Sequence, residues 1–156
     1  AEPLFRSGHW NVPDSRKEQV YFEEKVEPFV DGEQIRYVGP VGDEEKNELL
    51  GRAAAFLMPI EWEEPFGIVM AEAMACGTPV IGFDRGSVSE VVEEGKTGFV
   101  CDTVDEMTVV IGQISDLDRA ACRRRCEDYF SASAIVDAYV NLYQAHRSGR
   151  VGADKD

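Results

Sequence analysis

Residues 79–83, Pro-Val-Ile-Gly-Phe, form an unbroken apolar run. A strand with one wet face alternates apolar with polar residues, so a run with no polar member needs cover on both faces, as in a parallel sheet. Just ahead of it lies a helical pattern over 67–75, with Gly77 as its stop signal. Three more short strand candidates are spaced along the chain: IRYVG (35–39), AAFLMP (54–59) and TGFVC (97–101). Helical patterns alternate with them. That succession predicts an α/β fold, a Rossmann-like parallel sheet with helices on both faces. Ligands of such sheets sit at the carboxyl ends of strands, near helix starts. The loops after Val38, Met58, Phe83 and Val100 are therefore the places to look.

The remaining elements follow from local signals. Residues 1–20 lack periodicity and read as loop. YFEEKVEPF (21–29) reads as a short helix ended near Pro28. Asp43 is expected to cap a helix through residues 44–53. A short helix is expected between the glycines of DRGSVSEVVEEG (84–95). Thr103 and Glu106 have capping-box spacing and open a helix predicted to reach Ile114. The segment 116–130 reads as helix, with Arg123, Arg124 and Arg125 on a solvated face. Ser131 or Ser133 caps a last helix, whose Ile135, Val136, Tyr139, Leu142 and Tyr143 share one face. The residues from 147 onward read as a frayed tail.

A chain of 156 residues with 44% hydrophobic content suffices for one domain with a real core. The net charge of −14 argues against nucleic acid or an anionic membrane as the main partner. It also makes an anionic ligand awkward unless backbone donors supply the attraction. No run of 18 apolar residues predicts a membrane span, and no signal-peptide pattern opens the sequence. The four cysteines, Cys76, Cys101, Cys122 and Cys126, lack histidines at metal-ligand spacing and read as reduced thiols. The expected setting is cytoplasmic, with peripheral membrane attachment of a full-length protein left open.

The longest of the strand-to-helix connections is EEPFGIVMAEAMACGTPVI (63–81). Glu64 precedes Pro65, which biases it away from helix, and Phe66-Gly67 turns the chain into the helix. The first amides, at Gly67 to Val69, have no intrahelical partner and carry the positive end of the helix dipole. That is a phosphate cradle made without lysine, worth on the order of 1 kcal/mol when exposed. Glu72 lies eight positions beyond Glu64, and its side chain leans back toward the helix start. A carboxylate there can accept from two adjacent hydroxyls of a ribose, while Glu64 can meet a second polyol. An ordinary surface acid and an ordinary loop acid would show the same spacing; the full string is more specific.

That string, continued as PIEWEEPFGIVMAEAMACGTPVIGFDRGSVSEVVEEGKTGFV (59–100), resembles the nucleotide-sugar-binding half of retaining GT-B glycosyltransferases of family 4. The E-x7-E pattern is complete from Glu64 to Glu72. YVGPVGDEEKNELL (37–50) and FSASAIVDAYVNLY (130–143) are similar to the preceding strand and loop and to the closing helix, so the likeness covers about 35–145. The resemblance implies that Glu64 is the catalytic candidate and, with the backbone at Phe66 and Gly67, holds donor-sugar hydroxyls. It implies that Ile68 and Val69 present amides to the diphosphate and that Glu72 binds the ribose. Val41 would touch the nucleobase, with Lys46 nearby, although a solvent-facing lysine is an equal reading of Lys46. The donor is a nucleoside-diphosphate sugar, with no cofactor and no metal. Trp62 is either part of the sugar pocket or a loop anchor.

The same family has an acceptor-binding domain ahead of this one, and an opening strand and loop whose Arg and Lys clamp the diphosphate. Neither is in this sequence. Residues 1–34 are therefore expected to be a remnant βα connection with a short helix, ahead of a nucleotide-sugar-binding domain at 35–146. In the usual 3-2-1-4-5-6 order, the absent strands would lie between 35–39 and 54–59. The segment 35–39 is expected either to detach or to form a non-native edge, and donor affinity is expected to be weak. Two other functions stay open: a nucleotide-sugar epimerase of the same fold, and a noncatalytic nucleotide-sugar-binding module.

Overall fold

The structure, a computed structural model, describes residues 16–147. In chain order the elements are α1 (Arg16–Lys25), α2 (Asp43–Arg52), β1 (Phe56–Met58), α3 (Ile68–Ala75), β2 (Val80–Phe83), α4 (Val88–Val91), β3 (Gly98–Cys101), α5 (Val104–Ile111), α6 (Arg119–Tyr129) and α7 (Ala132–Arg147). Short 3-10 turns cover Glu27–Phe29 and Ile114–Asp116. The three strands form one parallel sheet in the order β1-β2-β3, with Phe56 opposite Val80 and Val80 opposite Gly98.

The unbroken apolar run becomes the central strand, and all four residues of β2 are buried. Its neighbours separate by pleat into two layers. On one face, Phe56, Met58 and Val80 pack with Leu50, Met70, Met74, Val88, Val91 and Cys122 from α2, α3, α4 and α6. On the other, Ile81, Phe83, Phe99 and Cys101 pack with Met107 of α5 and the residues that follow it. Helices thus cover both faces, and the expected α/β architecture is present. Gly98 permits the β2–β3 approach, because a Cβ there would collide with the Val80 carbonyl.

Segment 35–39 is not a strand. Asp31 explains why. Its Oδ1 accepts the backbone N–H groups of Glu33, Gln34 and Ile35 at 2.8–2.9 Å, closing a turn where an extended chain was expected. Those N–H donors hold its carboxyl below the usual aspartate range, Ile35 contributing most. Tyr37 lies against Phe22 of α1, ring centres 5.1 Å apart, and the outer edge of β1 has no strand partner among the described residues. The detached arrangement is the one adopted.

Other boundaries move for local reasons. Helix α1 starts at Arg16, inside the stretch read as loop, and the chain is already in a 3-10 turn at Pro28. The earlier residues and the tail beyond Arg147 lie outside the described ones. Gly42, not Asp43, is the N-cap of α2. Helix α5 ends at Ile111, before Gly112, and its cap is confirmed: Glu106 N–H donates to Thr103 Oγ1. The glutamate reaches back to the Asp102 N–H at 2.7 Å. Ser131, not Ser133, caps α7 by accepting from Ala134 N–H. The apolar face of α7 is present as a face, but Ile135, Val136, Tyr139, Leu142 and Tyr143 are all exposed.

Arg123 and Arg124 are exposed, as expected, and Arg125 is half-buried, but the arginines of α6 also brace the ends of other helices. Arg119 donates to the Gly51 and Ala53 carbonyls at the end of α2 and to Thr78 Oγ1. Arg123 donates to Ala75 O at the end of α3, at 2.6 Å. Arg125 donates to the Glu90 carbonyl at the end of α4, and its guanidinium lies 4.1 Å from the Tyr129 ring centre. Arg124 meets no helix carbonyl among the described residues and pairs with Asp118, while Arg123 also pairs with Glu127. Each of the other three satisfies carbonyls that a helix end leaves without partners.

Candidate functional site

Helix α3 begins where β1 has ended, as the fold requires of a ligand-binding connection. Gly67 is its N-cap, with φ +69, a left-handed conformation that favours glycine. The space is also closed, since a Cβ at Gly67 would lie 2.6 Å from Met70 Cε. Met70 N–H bonds Gly67 O at 2.8 Å. Ile68 and Val69 contribute the two amides ahead of it, which helix geometry leaves without intrahelical acceptors. Ile68 is 68% exposed, so the start of α3 faces solvent.

Glu64 sits at this helix start. Its Oε1 accepts from Gly67 N–H at 3.1 Å, and its Oε2 accepts from Trp62 Nε1–H at 3.0 Å. The Gly67 amide is thus engaged by a protein carboxylate, and the cradle read from the sequence narrows to Ile68 and Val69. The loop beneath is held by the connection after β2. Gly86 N–H donates to Glu63 Oε2 at 2.6 Å and Ser87 N–H to Glu64 O at 2.8 Å. Gly86 has φ +59, and a Cβ there would collide with the backbone of Glu64. Phe66 turns inward and meets the Phe130 ring edge-on, centres 5.5 Å apart.

Glu72 is the fifth residue of α3, about 6 Å along the axis from its first. Its Oε1 accepts from Lys46 Nζ at 2.7 Å, and Lys46 also pairs with Asp43 at 3.1 Å. The hydrogen bond to Glu72 is the main cause of the raised Lys46 pKa. Lys46 is neither a free surface lysine nor placed against anything but these two acids. Glu72 retains Oε2 and the remaining acceptor position on Oε1. Val41 is half-buried just ahead of α2, with no polar contact of its side chain. Of the two readings of Trp62, its bond to Glu64 fits the loop anchor; sequence reasoning missed Gly86, which supports the Glu64 loop, and Lys46 in its role on Glu72. Pairings between residues 23 and 26 positions apart leave no local signature.

No group of three or more His, Cys, Asp or Glu suited to a metal occurs among the described residues. An Asp-x-Asp spacing does occur at Asp116-Leu117-Asp118, but Asp118 caps α6 through Ala120 N–H and pairs with Arg124. All four cysteines are free thiols, and burial pushes Cys122, Cys126 and Cys101 up in pKa, away from reactivity. No helix among the described residues is long and apolar enough to cross a membrane.

Comparison with known proteins gives the family and the fold. The family model described as glycosyl transferases group 1 matches residues 14–126. The chain is 34% identical over 124 residues to a D-inositol 3-phosphate glycosyltransferase of Streptomyces avermitilis, covering 72% of this chain and 26% of that protein. It is 31% identical over 148 residues to a glycogen synthase of Mycobacterium tuberculosis, covering 90% of this chain and 33% of the relative. Among solved structures, sucrose-phosphate synthase from Thermosynechococcus elongatus superimposes with a TM-score of 0.66 at 27% identity, over 85% of this chain and 35% of that one. The chain therefore spans about a quarter to a third of the length of these relatives. The parallel sheet with helices on both faces is part of a GT-B fold, and the chain belongs to the group 1 glycosyltransferase family.

Proposed function

We propose that this chain supplies the donor side of a retaining glycosyltransferase that uses a nucleoside-diphosphate sugar. The observation that carries the reading is the start of α3, where the Ile68 and Val69 amides stand between the Glu64 and Glu72 carboxylates. In this reading the diphosphate rests on the two amides, with the helix dipole behind them. Glu72 accepts from the ribose hydroxyls, and Lys46 fixes it from the side. Glu64, with the backbone at Phe66 and Gly67, receives the hydroxyls of the transferred sugar. Val41, ahead of α2, meets the nucleobase.

The reaction breaks the bond between the anomeric carbon and the diphosphate oxygen. The acceptor oxygen bonds to the same face, and its proton passes to the departing phosphate oxygen. The Ile68 and Val69 amides stabilise the charge that develops on the diphosphate. The chemistry asks for no metal and no cofactor in this account, and its setting is cytoplasmic. An acceptor-binding domain must complete the site, so the 156-residue chain alone is inactive in transfer and binds donor weakly. Submicromolar affinity for UDP-glucose or GDP-mannose by calorimetry would contradict the weak-binding part.

The test is Glu72→Ala in a protein that carries this segment together with its acceptor domain. Transfer to acceptor should fall by roughly tenfold or more, the scale of losing a charged hydrogen-bond acceptor. Unchanged transfer would remove Glu72 from the site and favour a noncatalytic module.

A further inference from the structure

Glu64 has two N–H donors on its carboxylate, and they differ in kind. Gly67 is buried and fixed by its left-handed backbone, and its N–H holds Oε1. Trp62 is 61% exposed, and its indole Nε1–H holds Oε2. The main chain beneath is already clamped by Gly86 and Ser87 through Glu63 and Glu64. What remains free in Glu64 is rotation of the side chain, and donors on both oxygens stop it. A carboxylate oxygen has two acceptor positions, so one on each oxygen is left for a hydroxyl, in a fixed plane. An exposed tryptophan contributes little to the core, so its N–H is the part of it that the loop uses.

We propose that Trp62 is a positioning residue: its indole N–H orients the Glu64 carboxylate toward the donor-sugar hydroxyls. This rests on the reading of Glu64 given above. Trp62 gives affinity for the sugar, not for the nucleotide, because it acts only through Glu64. Without it, Glu64 keeps its bond from Gly67 and turns about that contact.

The test has two arms on the full 156-residue chain. In the first, the indole N–H signals of 15N-labelled protein are followed by NMR, with Trp62→Phe assigning the Trp62 signal. That signal should move on Glu64→Gln, which removes the charge from its acceptor. A Trp62 signal indifferent to that substitution would overturn the proposal whatever the ligand does. In the second arm, UDP is compared with UDP-glucose and GDP with GDP-mannose. Trp62→Phe should leave diphosphate affinity unchanged and reduce the sugar's added affinity about fivefold, the effect of one modest hydrogen bond. Equal losses for diphosphate and nucleotide sugar would mark a merely structural role and overturn it. So would a loss seen only in Trp62→Ala, which points to the ring instead of the N–H. If wild type binds neither diphosphates nor nucleotide sugars, the donor-site reading itself falls and takes the proposal with it.

Discussion

The two ends of helix α3 are treated in opposite ways. At its carboxyl end the chain closes every group: Gly77 N–H bonds Met74 O, Thr78 N–H bonds Ala73 O, and Arg123 covers Ala75 O. The same holds at the ends of α2 and α4, where Arg119 and Arg125 from α6 meet the last carbonyls. At its amino end only Gly67 has a side-chain acceptor, and the Ile68 and Val69 amides stay open. Helix carbonyl ends carry partial negative charge and amide ends partial positive charge. This chain, with a net charge of −14, uses three arginines to meet the former and leaves the latter open. One end is scaffold, complete in itself; the other, in the proposed function, is completed by an anionic ligand.

The comparison predicts that stability and donor binding separate between the two ends. The largest effect belongs to Gly86→Ala, which forces a Cβ into the Glu64 backbone and strains a left-handed φ. Overpacking of this kind costs about 1–3 kcal/mol. Because the displaced loop carries Glu64, NMR titration should also show donor-sugar binding lost. Intact binding in that variant would break the claim that the loop is held in one geometry. Next comes Arg119→Ala, with the loss of three hydrogen bonds and a melting temperature lower by several degrees, corresponding to about 2 kcal/mol. Donor affinity should not change, and a matching loss of affinity would erase the division between the ends.

Smaller effects are expected on the ligand side. Glu72→Ala should weaken nucleotide binding several-fold, about 1 kcal/mol, and abolish any preference for UDP over 2′-deoxy-UDP in competition experiments. A preserved ribose preference would exclude Glu72 as the hydroxyl acceptor. The smallest is Lys46→Met, expected to lower stability by less than about 1 kcal/mol because the pair is partly exposed. The folded-state pKa of Lys46 is raised, so its contribution is fully present below the ordinary lysine pKa of about 10.4 and is lost as pH rises through the higher folded value. The melting-temperature difference from wild type should be flat through neutral pH and shrink only in that alkaline window.

Apolar pattern and local stop signals made most of the fold readable. The run at 79–83 forecast a doubly covered strand, Gly77 the end of α3, and Thr103 the start of α5, because each effect is settled within a few residues. Segment 35–39 failed because Asp31, four residues ahead of Ile35, closes a turn that runs into its first residue and takes the Ile35 N–H, and no strand lies beside it among the described residues. The second task of Arg123 and Arg125 was hidden because the helix carbonyls they meet come from distant elements, and no local pattern records that. At the site, Phe66-Gly67 marked the helix start, and the full string around Glu64 and Glu72 pointed to the two acids as candidates. It could not reveal that Gly67's amide belongs to Glu64, that Lys46 belongs to Glu72, or that Gly86 supports the loop from below.

The central claim is that the open amides of α3 receive the diphosphate of a nucleotide sugar. Titration of the 15N-labelled chain with UDP and with GDP tests it directly. The backbone N–H signals of Ile68 and Val69 should show the largest shifts for at least one nucleotide, while those around Arg119 and Arg123 stay in place. Shifts confined to other regions, or none at high nucleotide concentration, would contradict the account.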